Sequence, residues 1–308
     1  NDPRFNFIRL SYLVSLILFL EICYSFSPLF EFLISNDLSN LDLSQLPQAL
    51  KGVSGNRNVL SADLVFKSSF VFYIILNNKG FIRIFFMFLL FLVSSLIFLL
   101  SSRASFLSFS FVFLIFLVFL LFNKLSARHY IYITFPIFIS IFLISILSYS
   151  TGSNSNLISS RLSTISQNDT STNQRLTLYE NAIDYISANP LIGCGIGNWK
   201  IRSLPYWRDK LTGYIIPYHA HNDFLEFTAE IGLLGGLSYF FIFIFIFYKS
   251  ITLIFHNKKN ILLFLIFSLG GVYFIDAMLN FPFERALSQV NFILLLSLSI
   301  LIFNLDEK

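Results

Sequence analysis

"GFIRIFFMFLLFLVSSLIFLLSSRASFLSFSFVFLIFLVFLLFNK" occupies residues 80–124 and decides the fold. It holds two apolar runs, roughly 81–100 and 104–122, joined by the very short turn "SSRAS" that carries Arg103. A helix needs about 20 apolar residues to cross a bilayer, so the stretch reads as a transmembrane helical hairpin. The pattern recurs at about 10–30, 59–77, 129–149, 224–248, 261–280 and 286–304. The run at 59–77 is the weakest, because Asp63 and Lys67 interrupt it.

Composition agrees. Of 308 residues, 56% are hydrophobic and 12% charged, against about a quarter charged in soluble domains. The expected fold is therefore an all-α polytopic membrane protein of about eight transmembrane helices. It forms one membrane-embedded domain over 1–308, with one long loop at 150–222 that contains a short helix. Forty Phe residues suit lipid-facing helix surfaces. The chain starts with Asn, and Arg4 and Arg9 directly precede a helix, so it reads as a fragment lacking N-terminal helices; a missing signal peptide then means nothing. Cys23 falls in a helix and Cys194 in the polar loop, which makes neither a disulfide framework nor a metal cluster.

Lys and Arg in short loops set orientation. Alternating the connections puts Arg4, Arg9, Lys79, Arg83, Lys124, Arg128, Lys249, Lys258, Lys259 and Lys308 on one side. The other side, long loop aside, holds Lys51, Arg57, Arg103 and Arg285. The richer side is expected to be cytoplasmic, which turns the long loop outward, where there is no ATP pool.

Within that loop, "TGSNSNLISSRLSTISQNDTSTNQ" reads as linker. "NQRLTLYENAIDYISANP" reads as a helix of about four turns, started by Asn173 and ended at Asn189-Pro190. Leu178, Ala182, Ile183 and Ile186 form its apolar face. "GCGIG" at 193–197 reads as a tight backbone turn rather than a dinucleotide loop, since no strand precedes it.

The polar groups admit two readings each. Arg103 either snorkels to headgroups and caps a helix, or binds an anionic ligand at the membrane surface. Arg175 is a solvated charge, or it adds a guanidinium to a helix start that already favours anions. Arg57, Lys200, Arg202, Arg208 and Lys210 make the same face more basic. In "YHAHNDFLEFTAEIGLLGG" at 218–236, His219 and His221 with Asp223 and Glu226 lack a third zinc ligand at a confident spacing. His221 is instead either interfacial or a general base. Asn222, Glu226 and Glu230 share one helical stripe, on the side that faces the bundle. Gly232 and Gly235 permit close helix packing. Trp199, Tyr206, Trp207, Tyr214 and Tyr218 form an interfacial belt or stack on sugars. Against a transporter reading stands the distribution of polar groups: Glu21, Lys67 and Asp276 look scattered, while the rest gather at one face.

These residues carry a resemblance. "HNDFLEFTAEIGLLG" resembles the H-[NSQ]-x9-G-x2-[GTY] signature of the O-antigen ligase and polymerase superfamily, with His221, Asn222, Gly232 and Gly235 at its fixed positions. "QRLTLYENAIDYISANPLIGCGIGNW", "GNRNVLSADL", "SSRASF" and "DAMLNFPFER" are similar to further family segments, in the right order. The resemblance implies a membrane glycosyltransferase, inverting and free of metal, nucleotide or other cofactor. Its donor would be a glycan on a polyprenyl (undecaprenyl) diphosphate at the periplasmic face of a bacterial inner membrane. It implies Arg103 and Arg175 as diphosphate ligands and His221 as base. Asn222, His219, Glu226, Arg202, Arg208 and Trp199 would support the site. The acceptor would be lipopolysaccharide core for a ligase, a growing polysaccharide for a polymerase, or protein for an oligosaccharyltransferase. No nucleic acid is implied.

Overall fold

The computed structural model describes residues 3–35, 46–150, 170–207, 218–257 and 260–306. Among these there is no strand. The helices are α1 (Pro3–Ser35), α2 (Leu46–Ala49), α3 (Arg57–Asn77), α4 (Gly80–Leu100), α5 (Arg103–Phe122) and α6 (Ala127–Ser150). Then come α7 (Thr170–Ala188), α8 (Trp199–Arg202), α9 (Leu204–Trp207), α10 (Asp223–His256), α11 (Ile261–Leu279), a 3-10 turn (Pro282–Glu284) and α12 (Ala286–Asp306). Eight of the described helices are long and apolar enough to cross a membrane: α1, α3–α6 and α10–α12.

The weakest apolar run makes the central helix. α3 is 83% buried and α11 72%, against half or less for the other spans. α3 packs on α1, α4, α5 and α11. Its charges are tolerated because they are paired: Lys67 Nζ lies 2.5 Å from Glu21 Oε1 on α1 and 2.7 Å from Asp63 Oδ2 one turn away. Glu21 and Lys67 are thus not scattered, as the sequence suggested, but joined. Only the fold could show this, because 46 residues separate them.

Without a hydrophobic force between helices in lipid, packing and polar contacts hold the bundle. Ser69 meets Ser268 at 3.0 Å between α3 and α11, and Ser94 meets Ser140 at 2.9 Å between α4 and α6. The phenylalanines divide into two populations. Phe81, Phe88, Phe138 and Phe241 lie outside. Phe66, Phe70, Phe72, Phe116 and Phe243 are interior, with Phe72 stacked on Phe116 at 5.0 Å. The outer rings suit a lipid-facing surface, as expected, and the inner ones fill the core.

α7 starts at Thr170, one turn before the expected cap at Asn173. Leu178 and Ala182 are buried, whereas Ile183 is 51% exposed. α7 packs along the start of α10. Because consecutive spans alternate in direction, the starts of α3, α5, α10 and α12 and the ends of α4 and α11 share one end of the bundle, with α7.

Candidate functional site

The site grows from a break in α10. Gly232 adopts φ 75°, ψ 176°, a region that essentially only glycine enters. The break frees backbone groups that must find partners inside an apolar medium. The loop after α7 supplies them. Cys194 N–H donates to the Ala229 carbonyl at 3.0 Å, Gly195 N–H to the Glu230 carbonyl at 2.7 Å, and Leu233 N–H donates to the Pro190 carbonyl at 2.8 Å. A Cβ on Gly232 would strike the Leu191 carbonyl, and one on Gly193 the Glu230 backbone. Gly232 is therefore a docking notch for the loop and not the helix-packing spacer expected from the sequence.

Side chains reinforce the dock. Glu230 Oε1 accepts the Trp199 N–H at 3.1 Å. The Trp199 ring is 1% exposed, edge-on to Tyr185 at 5.7 Å, and packs with Ala182, Ala220 and Ala229. This corrects the reading of Trp199 as a surface for sugars: it is the loop's core. Of the other aromatic candidates, Trp207 is buried and Tyr218 is 57% exposed.

The two histidines part company. His219 Nδ1 and Glu226 Oε1 are hydrogen-bonded at 2.8 Å. The Ala220 N–H takes the other carboxylate oxygen at 2.8 Å. His219 stacks on Phe281, with centroids 4.2 Å apart and planes 15° apart, while His221 meets Phe281 edge-on at 4.8 Å. His219 lines a cavity of about 420 Å³ with Tyr218, Lys200, Glu226, Glu230 and Glu284. His221 lines a narrow one of about 60 Å³ with Asn56, Asn58, Asp276, Asn280 and Arg285. The imidazoles do not converge, and among the described residues no three His, Cys, Asp or Glu are grouped to hold a metal.

His221 is placed by its backbone. Its φ of 55° lies in the left-handed region, which costs a non-glycine residue about 1–2 kcal/mol. Tyr179 Oη stands 3.2 Å from the His221 carbonyl and 3.3 Å from the Met278 carbonyl, so its one proton ties α7 to both. Asn222 is the N-cap of α10, accepting the Leu225 N–H at 3.1 Å. Asp223 Oδ2 accepts the Phe283 N–H at 3.0 Å and the Tyr239 hydroxyl at 3.3 Å, fixing the turn that carries Phe281 and Arg285. His221 Nδ1 is buried without a hydrogen-bond partner among the described residues.

Charge completes the geometry. Burial, then Arg175, His219 and Arg285, lower the His221 pKa to about 4. The imidazole is thus neutral at physiological pH with two guanidinium groups bearing on it. Arg175 stands one turn before Tyr179 on α7, and Arg285 lies over Phe281, 4.4 Å from its centroid. Asp276, hydrogen-bonded by Asn280 Nδ2 at 2.6 Å, completes the floor.

Of the expected residues, the structure pairs His219 with Glu226 and sets His221, directly before the N-cap Asn222, within the field of Arg175. Arg103, half-buried, begins α5 at the same end of the bundle. Arg202 is exposed on α8, and Arg208 lies outside the described residues. Sequence reasoning missed Arg285, Phe281 and Asp276 as site members. The available signal was the family-like "DAMLNFPFER", together with Arg285 as an outward-side cation.

Among curated proteins none matches this chain. The sequence model of the family described as O-antigen ligase matches residues 69–240, a segment that includes Arg103, Arg175, His221 and the Gly232 notch. That segment is more than half of the chain, so this multi-pass membrane protein belongs to the O-antigen ligase family.

Proposed function

We propose that the chain transfers a glycan from a polyprenyl diphosphate to an acceptor hydroxyl, at the end of the bundle where α7 meets α10. The observation that carries this reading is a half-buried His221, its Nδ1 enclosed without a hydrogen-bond partner among the described residues, on one cavity with Arg285 and within the field of Arg175. Arg175 and Arg285, with Arg103 at the same end, neutralise the diphosphate, because planar guanidinium groups bind phosphate in bidentate fashion. The positive-inside bias turns this end to the periplasm.

In the reaction, the acceptor oxygen forms a bond to the anomeric carbon. The bond from that carbon to the diphosphate oxygen breaks, and its electron pair leaves with the lipid diphosphate. The acceptor proton passes to the His221 imidazole. Such a base contributes roughly 10²–10⁴-fold. With no donor bound, the two arginines oppose protonation of His221. A bound diphosphate offsets their field and raises the basicity of His221, so the base gains strength only when the leaving group is in place. Ligase, polymerase and protein-glycosylating activities share this step.

The test is reconstitution. Purified protein is given a polyprenyl-diphosphate glycan and candidate acceptors, and the product is identified. His221→Ala is expected to abolish transfer at normal protein level. Transfer close to the parent's removes His221 from the chemistry.

A further inference from the structure

A second polar cluster lies deep in the bundle, apart from the His221 site. Glu21 comes from α1, Asp63 and Lys67 from α3, and Asn291 from α12. Asp63 is six residues into its span and Glu21 six from the end of its own, each about 9 Å at 1.5 Å per residue, inside a hydrocarbon core of about 30 Å. Ionisable groups at that depth are costly and by default functional.

The hydrogen bonds separate the two acids. Both oxygens of Asp63 are engaged as acceptors, Oδ2 by Lys67 Nζ at 2.7 Å and Oδ1 by Asn291 Nδ2 at 2.8 Å. Asp63 therefore has no oxygen left without a donor, and its formal charge offsets that of Lys67. Glu21 uses only Oε1, toward Lys67; its Oε2 is buried with no hydrogen-bond partner among the described residues. An ionised Glu21 would leave this membrane-embedded cluster with one uncompensated negative charge. Glu21 also lines a cavity of about 440 Å³, shared with Ser54, Glu284 and Arg285 at the end of the bundle. Ser25, one turn from Glu21 toward that end, carries a buried hydroxyl that also lacks a partner among the described residues. The charged groups that face Glu21 are Asp63 and Lys67 from α3, with Glu284 and Arg285 across the cavity.

We infer that Glu21 is a proton-binding site within the membrane: its carboxyl carries one exchangeable proton on Oε2, loaded through this cavity. The inference is independent of the transfer reaction proposed above.

Infrared spectroscopy of the purified protein in nanodiscs tests it, because a protonated carboxylic acid has a carbonyl stretch of its own that shifts in D₂O. The parent at neutral pH is expected to show such a band, and Glu21→Gln to lose it while keeping the parent's melting temperature, since the amide mimics the neutral acid. Asp63→Asn is expected to retain the band. Should Glu21→Gln fail to fold, Glu21→Asp keeps an acid at this position and is expected to shift the band rather than remove it. A band unchanged in Glu21→Gln, or lost only in Asp63→Asn, overturns the assignment. A band that follows sodium concentration instead of pH overturns the proton in favour of a metal cation.

Discussion

Glu226 and His219 form a hydrogen bond of 2.8 Å that ties the first turn of α10 to the chain leading into it, and the same carboxylate holds the Ala220 N–H. One acid therefore fixes the chain on the near side of His221, although it does not touch His221's ring. In Glu226→Ala both side-chain oxygens are lost, and the buried Ala220 N–H is left without its partner, at about 1–3 kcal/mol for a buried group left unsatisfied. We expect a lower melting temperature and at least a tenfold loss of glycan transfer at unchanged protein level. Equal melting and equal transfer would show that the bond does not position the site.

The depressed basicity of His221 predicts a pH dependence. Its folded pKa of about 4 lies below the ordinary 6.5, so the folded state favours the neutral ring. Stability from this group is present above 6.5 and is lost as pH falls from 6.5 toward 4, because the unfolded chain takes up the proton first. If His221 is the base, the acid limb of kcat/KM, which reports the free enzyme, lies near 4 rather than 6.5. Arg175→Gln removes a cation that opposes protonation, so the limb of its residual activity moves to higher pH. A limb near 6.5 in the parent, unmoved by Arg175→Gln, would exclude this account.

Arg285 separates charge from geometry. Arg285→Lys keeps the charge but loses the planar fork and the stacking on Phe281. We expect donor KM to rise by roughly tenfold, matching the loss of about 1.4 kcal/mol of phosphate contact, with protein level intact. Arg103→Lys and Arg175→Lys are read in the same assay. Lysine variants at all three positions that work like the parent would rule out a guanidinium clamp.

How much of this was legible beforehand follows from range. Apolar run length is local, so all eight spans could be read from the sequence, and "HN" at 221–222 marked both the base candidate and the cap of α10. Pairings between distant segments could not be read. Glu21 and Lys67 looked like separate interruptions because nothing local says that α1 and α3 face each other there. Arg285 looked like one more outward cation until the Asp223 carboxylate fixed its turn beside His221. Gly232 matched a signature position, yet its reason, a left-handed break filled by the 190–195 backbone, exists only once α7 has docked. Trp199 fits neither reading of it, interfacial belt or sugar surface, because the loop folds over it and makes it core.

The Gly232 notch yields the most direct test of that dock. Gly232→Ala places a methyl group against the Leu191 carbonyl at φ 75°, and Gly193→Ala places one against the Glu230 backbone at φ 70°. Backbone strain of this kind costs about 1–3 kcal/mol per residue, and each clash alone pushes the 190–195 loop out of the break. Once the loop has left, the second methyl has nothing further to displace. The double variant is therefore expected to lose much less stability than the sum of the two singles, a coupling of about 0.5–3 kcal/mol. Transfer falls in step, because α7 carries Arg175 and Tyr179 and is tethered to His221 through this loop. Thermal melts of the four proteins in one detergent measure the cycle. Strict additivity would mean that the two glycines act independently and that the loop does not repair the helix break.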